Sequence, residues 1–183
     1  MQIHQLSVSH NEAQDRLLVR LNTKEAHEYR FWLTRRLALR LLPALDQTVI
    51  RLEAAQPGVA ASDMNSQKIL THIKRDAFLQ KADFATPYAA ASEHLPLGPE
   101  PLLITDVQMT LQAQGNLKMV FQQKSGDSVQ SCQLNLQAQL VHGLIHLLKE
   151  TVVKAEWEMA TPNRPLSSEA QGDVPISPTT YKH

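Results

Sequence analysis

Apolar side chains recur at every second position in two short runs near the start of the chain, and two matching runs follow about a hundred residues later. Alternation with this period is typical of a strand that has one buried face. The apolar positions of the four runs are Leu17, Val19 and Leu21; Tyr29, Phe31 and Leu33; Leu117, Met119 and Phe121; and Cys132, Leu134 and Leu136. A turn-forming stretch joins the two runs of each half. Each half is therefore predicted to contain a strand pair with one apolar face.

Each strand pair is followed by a stretch with helical periodicity. Apolar residues there recur at spacings of i, i+4, i+5 and i+8, which places them on one side of a helix. The two sets are Leu37, Leu41, Leu42, Leu45, Val49 and Leu52, and then Leu140, Leu144, Ile145, Leu148, Val152 and Ala155. We expect one amphipathic helix after each pair of strands. Pro43 lies inside the first helix and should kink or segment it.

A further alternating run precedes each strand pair. Leu6 and Val8 carry the first of these runs, and Val107, Met109 and Leu111 carry the second. The predicted fold is α+β, with two pseudo-repeated βββα units forming a mostly antiparallel sheet and helices packed on one face. The matching spacings favour duplication of one unit, although convergent amphipathic patterns would give the same architecture.

The repeated plan of a strand meander ending in a helix is similar in outline to the Whirly class of single-stranded-DNA-binding regulators. Repeats of that class have four strands, whereas three are predicted here, and no lysine-rich motif of this chain matches. The resemblance is one of topology. It implies single-stranded nucleic-acid binding as an analogy at the level of the fold.

Four segments follow from these patterns. Residues 1–55 and 102–157 are the two units, which share one globular domain, and residues 56–101 hold a further helix and a Pro-rich connector. Residues 158–183 combine prolines with small polar residues, and we predict that this tail is disordered.

The additional helix is predicted to begin at a Ser62 N-cap and to end near Phe84. Its apolar positions are Met64, Ile69, Leu70, Ile73, Phe78 and Leu79. Four prolines follow in the connector, so that stretch is predicted to be an extended linker.

Charge and cysteine content limit the class of protein. Lys and Arg total 18 and Asp and Glu total 18, so the formal net charge is zero, which disfavours a dedicated nucleic-acid-binding protein. The single cysteine, Cys132, cannot form an intramolecular disulfide. No signal-peptide pattern or long apolar window occurs, and we expect a cytoplasmic protein without a membrane span.

Motifs for catalysis, cofactors or metals are not found. The sequence has no P-loop, GxGxxG, GxSxG or HExxH pattern, and Cys132 is predicted to be a buried core residue. His142 and His146 have the i, i+4 spacing at which two imidazoles can share a metal ion. Both lie off the apolar stripe of their helix, so we interpret them as part of a solvated helix face. We predict no catalytic site, no cofactor and no metal.

The side of the strands opposite the apolar positions carries basic groups. If both helices cover one side of a sheet, this other face stays open, as antiparallel sheets tolerate. It contains Arg16, Arg20, Arg30, Trp32 and Lys118. Basic groups beside an aromatic ring can bind single-stranded nucleic acid through phosphate contacts and stacking. Leu18 and Val120 on the same face fit a protein interface equally well.

Three more arginines lie where the first helix should begin, at Arg35, Arg36 and Arg40. Cations there oppose the helix dipole by about 0.3–1 kcal/mol each. An acidic partner or a bound anion would account for them. Alternatively, they are solvated or paired with the nearby acids Glu25, Glu28 and Asp46.

Together these features favour a non-enzymatic interaction or scaffold protein that self-associates or docks a protein partner, with no membrane role. The alternative is a single-stranded nucleic-acid-binding module. The residues predicted to bind in either case are Arg16, Arg20, Arg30, Trp32, Arg35, Arg36, Arg40 and Lys118. Nucleic-acid binding would weaken steeply with added salt, whereas an apolar protein interface would not.

Overall fold

Strands and helices alternate along the part of the chain that the computed structural model describes, which is residues 2–55, 63–89, 94–113 and 115–157. The strands are β1 (Ile3–Asn11), β2 (Arg16–Thr23), β3 (Glu28–Thr34), β4 (Leu102–Leu103), β5 (Asp106–Leu111), β6 (Asn116–Ser125) and β7 (Ser128–Gln137). The helices are α1 (Arg35–Ala54), α2 (Met64–Leu79) and α3 (Ala138–Lys154). The predicted α+β class is confirmed.

The strands form two sheets, whereas the sequence predicted one. The first sheet has the order β1-β2-β3-β4 and the second has the order β5-β6-β7. All pairings are antiparallel except the short parallel contact between β3 and β4. The prediction failed because alternation fixes which face of a strand is buried but not which strand lies beside it. Three strands precede a helix in each half, and the relation of the halves by duplication stays a prediction.

The inner faces of both sheets share one apolar core. Of the twelve alternating positions, Tyr29 is half-buried and the others are buried, as the period predicts. Phe31 of the first sheet stacks on Phe121 of the second, with ring centroids 4.9 Å apart and an angle of 12° between the planes. This contact joins the sheets at the centre of the core.

Helices α1 and α3 pack against each other and against strands of both halves. The Thr151 hydroxyl of α3 donates to the Val8 carbonyl of β1 over 3.3 Å, so helix α3 of the second half lies on the first sheet. Helix α1 begins at the Thr34 cap, whose hydroxyl accepts from the Leu37 amide, and continues past Pro43 without a break. The predicted segmentation of α1 at this proline is therefore wrong.

Helix α2 covers α1 and α3 from outside. Its N-cap is Asp63, which accepts from the Asn65 and Ser66 amides, and the predicted cap Ser62 lies outside the described residues. The helix ends at Leu79 rather than near Phe84. Three of its six predicted apolar positions are exposed, namely Met64, Ile69 and Ile73. They are exposed because α2 contacts the rest of the protein along a single side.

The connector between α2 and β4 is not a free linker where it is described. The Ala89 amide donates to Gln5 Oε1 of β1 over 3.1 Å, and the Glu28 amide of β3 donates to the His94 carbonyl over 3.0 Å. The connector therefore contacts both β1 and β3 of the first sheet before β4 joins β3. The predicted disordered tail, 158–183, lies outside the described residues. Among the described helices, none has the length and apolar content needed to span a bilayer.

Candidate functional site

The outer face of the first sheet holds four of the predicted binding residues. Arg20 faces Arg30 across the β2–β3 ladder, and Leu18 faces Trp32. Arg16 stands opposite Thr34 at the end of the same ladder. All of these arginines and Trp32 are partly exposed, on the side away from the core.

The connector covers Arg20 and Arg30, so the predicted open face is closed at these positions. The Arg20 guanidinium lies 4.5 Å from the centre of the Tyr88 ring, and Arg30 Nη2 donates to the Pro99 carbonyl. Like charges directly opposite each other destabilise a ladder, and these two contacts offset that repulsion. Burial, with the Glu28 carboxylate nearby, raises the pKa of Tyr88. The prediction of an uncovered basic face overlooked the connector, which no strand pattern reveals.

Trp32 and Lys118 do not share a surface patch in the described fold. Trp32 lies between Leu18 on β2 and Leu103 on β4, and it is half-buried. Lys118 lies on the outer face of the second sheet, opposite Thr110 on β5 and Asn135 on β7. The eight predicted residues are therefore divided between two sheets and a helix end.

The start of helix α1 carries an exposed basic cluster. Arg35, Arg36 and Arg40 are exposed on the first turns of α1, and within the described ranges no ion pair reaches them. Asp46, one of the acids predicted to pair with them, binds Lys149 at 2.9 Å instead. Arg16 is opposite Thr34, the residue before Arg35, and so extends the cluster.

A buried polar cluster joins the three helices and was missed at the sequence level. The Glu53 carboxylate of α1 lies 3.3 Å from His142 Nε2 of α3 and 2.6 Å from Lys74 Nζ of α2. The hydrogen bond with His142 and the contacts of Lys74 hold the pKa of Glu53 below its ordinary value of 4.5, against the opposite effect of burial. Helix α1 thus supplies the carboxylate, and α2 and α3 each supply one polar group that contacts it.

The position of His142 corrects the predicted solvated face. His142 is 2% exposed because α2 covers the side of α3 next to the apolar stripe. His146 is partly exposed, packs on the Phe84 ring at 4.6 Å and lies 3.6 Å from a Glu150 oxygen. Among the described residues, no three potential metal ligands cluster together.

An open cavity of about 900 Å³ borders the polar cluster between α2, α3 and the second sheet. Its described lining includes Glu53, Lys74, Lys81 and His142 together with the amides of Asn116 and Gln139. None of the described residues that line this cavity is a serine, threonine or cysteine. His142 also borders a second cavity of about 240 Å³, where the hydroxyl of Thr71 donates to the Gln67 carbonyl over 2.8 Å. Cys132 lies in the core, where burial raises the pKa of its thiol to about 11. The contacts of Glu53 with Lys74 and His142 join α1, α2 and α3.

The outer edge of β7 is a second feature that the sequence patterns did not identify. This strand is ten residues long and pairs with β6 on one side only among the described strands. Its sequence, SVQSCQLNLQ, contains no charge, proline or glycine. The side chains of Ser131, Gln133 and Asn135 are exposed on the outer face. Such a strand is a template for pairing with another chain.

The β6–β7 turn fixes which backbone groups of β7 point outward. Ser125 and Ser128 face each other across a two-residue turn in which Gly126 has a φ of 57°. The pair that closes such a turn is hydrogen-bonded, and bonded and non-bonded pairs then alternate. Odd-numbered residues therefore direct their N–H groups to the open edge, where no described element bonds them.

The other sheet edges carry features that block pairing. The Val8 carbonyl of β1 accepts from α3, and β4 is only two residues long. Strand β5 has six residues and begins with Asp106, which pairs with Lys124 at 3.2 Å. Short length, charge and covering by a helix are the usual protections of an edge strand. β7 has none of them within the described structure.

No protein-family model matches this chain, and no curated protein matches its sequence.

Proposed function

We propose that this protein is a non-enzymatic interaction protein and that β7 is its docking element, to which a partner adds a strand. The observation that carries the proposal is the long, uncharged edge of β7, which no described element covers. Strand addition supplies affinity through main-chain hydrogen bonds, and alternate side chains supply specificity. The side chains available for that purpose are Ser131, Gln133 and Asn135.

A matched pair of variants at Gln133 tests the docking element. Its N–H points away from β6, so Gln133→Pro removes an outward donor without removing a bond of the native sheet. Gln133→Ala keeps that donor. Lys124 lies opposite Val129 across the hairpin, next to the proposed docking edge. In cell extract, an amine-reactive crosslinker should therefore link Lys124 to a bound chain in the wild-type protein and in Gln133→Ala. The same crosslinks should be lost in Gln133→Pro.

The comparison is valid only if Gln133→Pro and Gln133→Ala are folded to the same extent, and their far-ultraviolet circular dichroism spectra measure this. Crosslinks that persist in a folded Gln133→Pro protein would remove β7 as the docking element.

Single-stranded nucleic acid is a second candidate ligand, favoured by the exposed arginines at the start of α1. These guanidinium groups have no acidic partner in the part of the chain that the structure describes, so they are available for phosphate, and Trp32 lies near the end of β3, the strand that leads into α1. In the β2–β3 register Arg16 lies opposite Thr34, two residues after Trp32, and Arg35 directly follows Thr34. The covered pair Arg20 and Arg30 is not part of this second site.

Replacing the three helix arginines tests this candidate. Arg35→Gln, Arg36→Gln and Arg40→Gln together should weaken binding of a fluorescein-labelled oligo(dT) at least tenfold and flatten its salt dependence, measured by anisotropy. The control carries Arg51→Gln, Lys68→Gln and Lys81→Gln, which remove equal charge from other exposed sites. Thermal stability should not fall in the first variant, because its arginines oppose the helix dipole. Equal weakening in both variants would discard the site.

A further inference from the structure

We infer that the strand added to β7 is β7 of a second copy, antiparallel about a two-fold axis at Gln133. This inference rests on the proposed docking at β7 and names the partner. The second sheet of each copy would then continue into that of the other, with three strands from each. A two-fold contact of this kind closes on itself and leaves no further free β7 edge.

The hydrogen-bond phase of β7 and the length of the strand together select the position of the axis. A two-fold axis at Gln133 places Gln133 opposite its own copy, Ser131 opposite Asn135, and Val129 opposite Gln137. Every one of these residues has its outward N–H on the open edge, so the whole strand pairs. An axis at Cys132 or Leu134 would also place odd opposite odd residues, but it would leave one of the five outward N–H groups, that of Gln137 or of Val129, opposite a residue outside β7.

The exposed side chains of β7 are complementary to themselves. A serine hydroxyl and the amides of Gln133 and Asn135 each contain both a hydrogen-bond donor and an acceptor. In the inferred register the hydroxyl of Ser131 meets the Asn135 amide, and Gln133 meets an identical amide. Cross-strand pairs of this kind stabilise a ladder.

Charge also favours a second copy over an acidic or basic partner. The ten residues of β7 are uncharged, so two copies meet without like-charge repulsion, and a charged strand would find no counter-ion on β7 itself. Lys118 and Lys124 lie one strand back on β6, opposite Asn135 and Val129. Val129, 55% exposed, is the one large apolar side chain that the described β7 leaves open, too little for an apolar groove partner.

Engineered cysteines test the register in the full-length chain. Gln133→Cys should form a disulfide-linked dimer on mild oxidation, because paired residues of adjacent strands lie within disulfide reach. Ser131→Cys is the matched control, on the same face and equally exposed, since its two copies would lie about 13 Å apart along the strand. The double variant Ser131→Cys/Asn135→Cys should link again. Cys132 is present in every variant and its thiol is buried, so the wild-type protein gives the background level of disulfide-linked dimer.

Light scattering of the purified chain tests the partner itself. We expect a dimer mass for wild type and Gln133→Ala, and a monomer mass for Gln133→Pro. Disulfide formation by Ser131→Cys as readily as by Gln133→Cys would overturn the inferred register. A monomeric wild-type chain would overturn the second copy as partner. If β7-dependent crosslinks to other proteins persist in that case, the docking function stands; if they are absent too, both proposals fall.

Discussion

Glu53 is a buried carboxylate whose two oxygens are each held by a side chain from another helix. An unpaired charge in this position would be costly, and removing one partner of a buried pair typically destabilises a protein by several kcal/mol. His142 and Lys74 supply the compensation from α3 and α2. The cluster therefore links α2 to the other two helices, in addition to apolar contacts such as that of Phe78 with α3 at Gly143.

Glu53→Gln should lower the free energy of unfolding by about 1–3 kcal/mol at pH 7, because it replaces a charge-assisted contact with a neutral one. Asp46→Asn is the matched control, since the half-exposed pair of Asp46 and Lys149 also joins α1 to α3 and should contribute less than about 1 kcal/mol. Urea unfolding measures both.

The stabilisation by Glu53 should depend on pH. Its pKa is lower in the folded than in the unfolded protein, so the contribution is complete above the ordinary value of 4.5 and declines as pH falls through the folded value. The stability difference between wild type and Glu53→Gln should therefore shrink below pH 4.5. An equal difference at acidic and neutral pH would contradict this origin.

The helical period of α3 could not place His142 correctly. It identifies the stripe of Leu140, Leu144 and Leu148 that faces the sheets, and His142 lies beside that stripe. A second covering layer, α2, buries this other side. That layer comes from a distant segment whose own apolar positions, Ile69 and Ile73, point to solvent.

At the scale of elements, the connector between α2 and β4 crosses the first sheet and is bound to its strands. It is held by side-chain contacts to β2 and β3 rather than by a regular ladder, apart from short bridges at His94 and β4. The Tyr88 ring on Arg20 is one of these anchors, and the Ala89 carbonyl accepts from Asn22 Nδ2 over 3.0 Å. The composition of this segment predicted an extended chain, and the sheet determines where that chain lies.

Tyr88→Ala should weaken the attachment of the connector to the sheet, because Arg20 loses the aromatic face that covers it. The free energy of unfolding should fall by about 1–2 kcal/mol. Amide hydrogen exchange in residues 84–89 and 94–101 should become faster. Tyr88→Phe keeps the ring and should retain most of the wild-type protection. Unchanged exchange in Tyr88→Ala would show that the other anchors alone hold the connector.

At the scale of the whole molecule, two sheets and two helices depend on one core. The stacked rings of Phe31 and Phe121 belong to different sheets, and α3 lies on β1 of the other half. Neither half can bury its apolar surface alone in this arrangement. Loss of one sheet should therefore remove the support of the other.

A double-mutant cycle tests this coupling. Phe31→Leu and Phe121→Leu should each cost about 1–2 kcal/mol, and together less than their sum by about 0.5–1.5 kcal/mol, because the stacking is lost only once. Thermal unfolding of every variant should show one transition by near- and far-ultraviolet circular dichroism. Two transitions, or strictly additive energies, would show that the sheets are independent.

The sequence alone determined the buried face of β2, β3, β6 and β7 and the apolar stripes of helices α1 and α3, because burial of one face imposes a period of 2 or 3.6 on the side chains. It also located the arginines at the start of α1. Only the tertiary structure decided which strands pair, which helix covers His142, where the connector lies over Arg20, and that β7 has an open edge. Those outcomes depend on contacts between segments far apart in the chain, and local periodicity carries no information about the neighbours of an element.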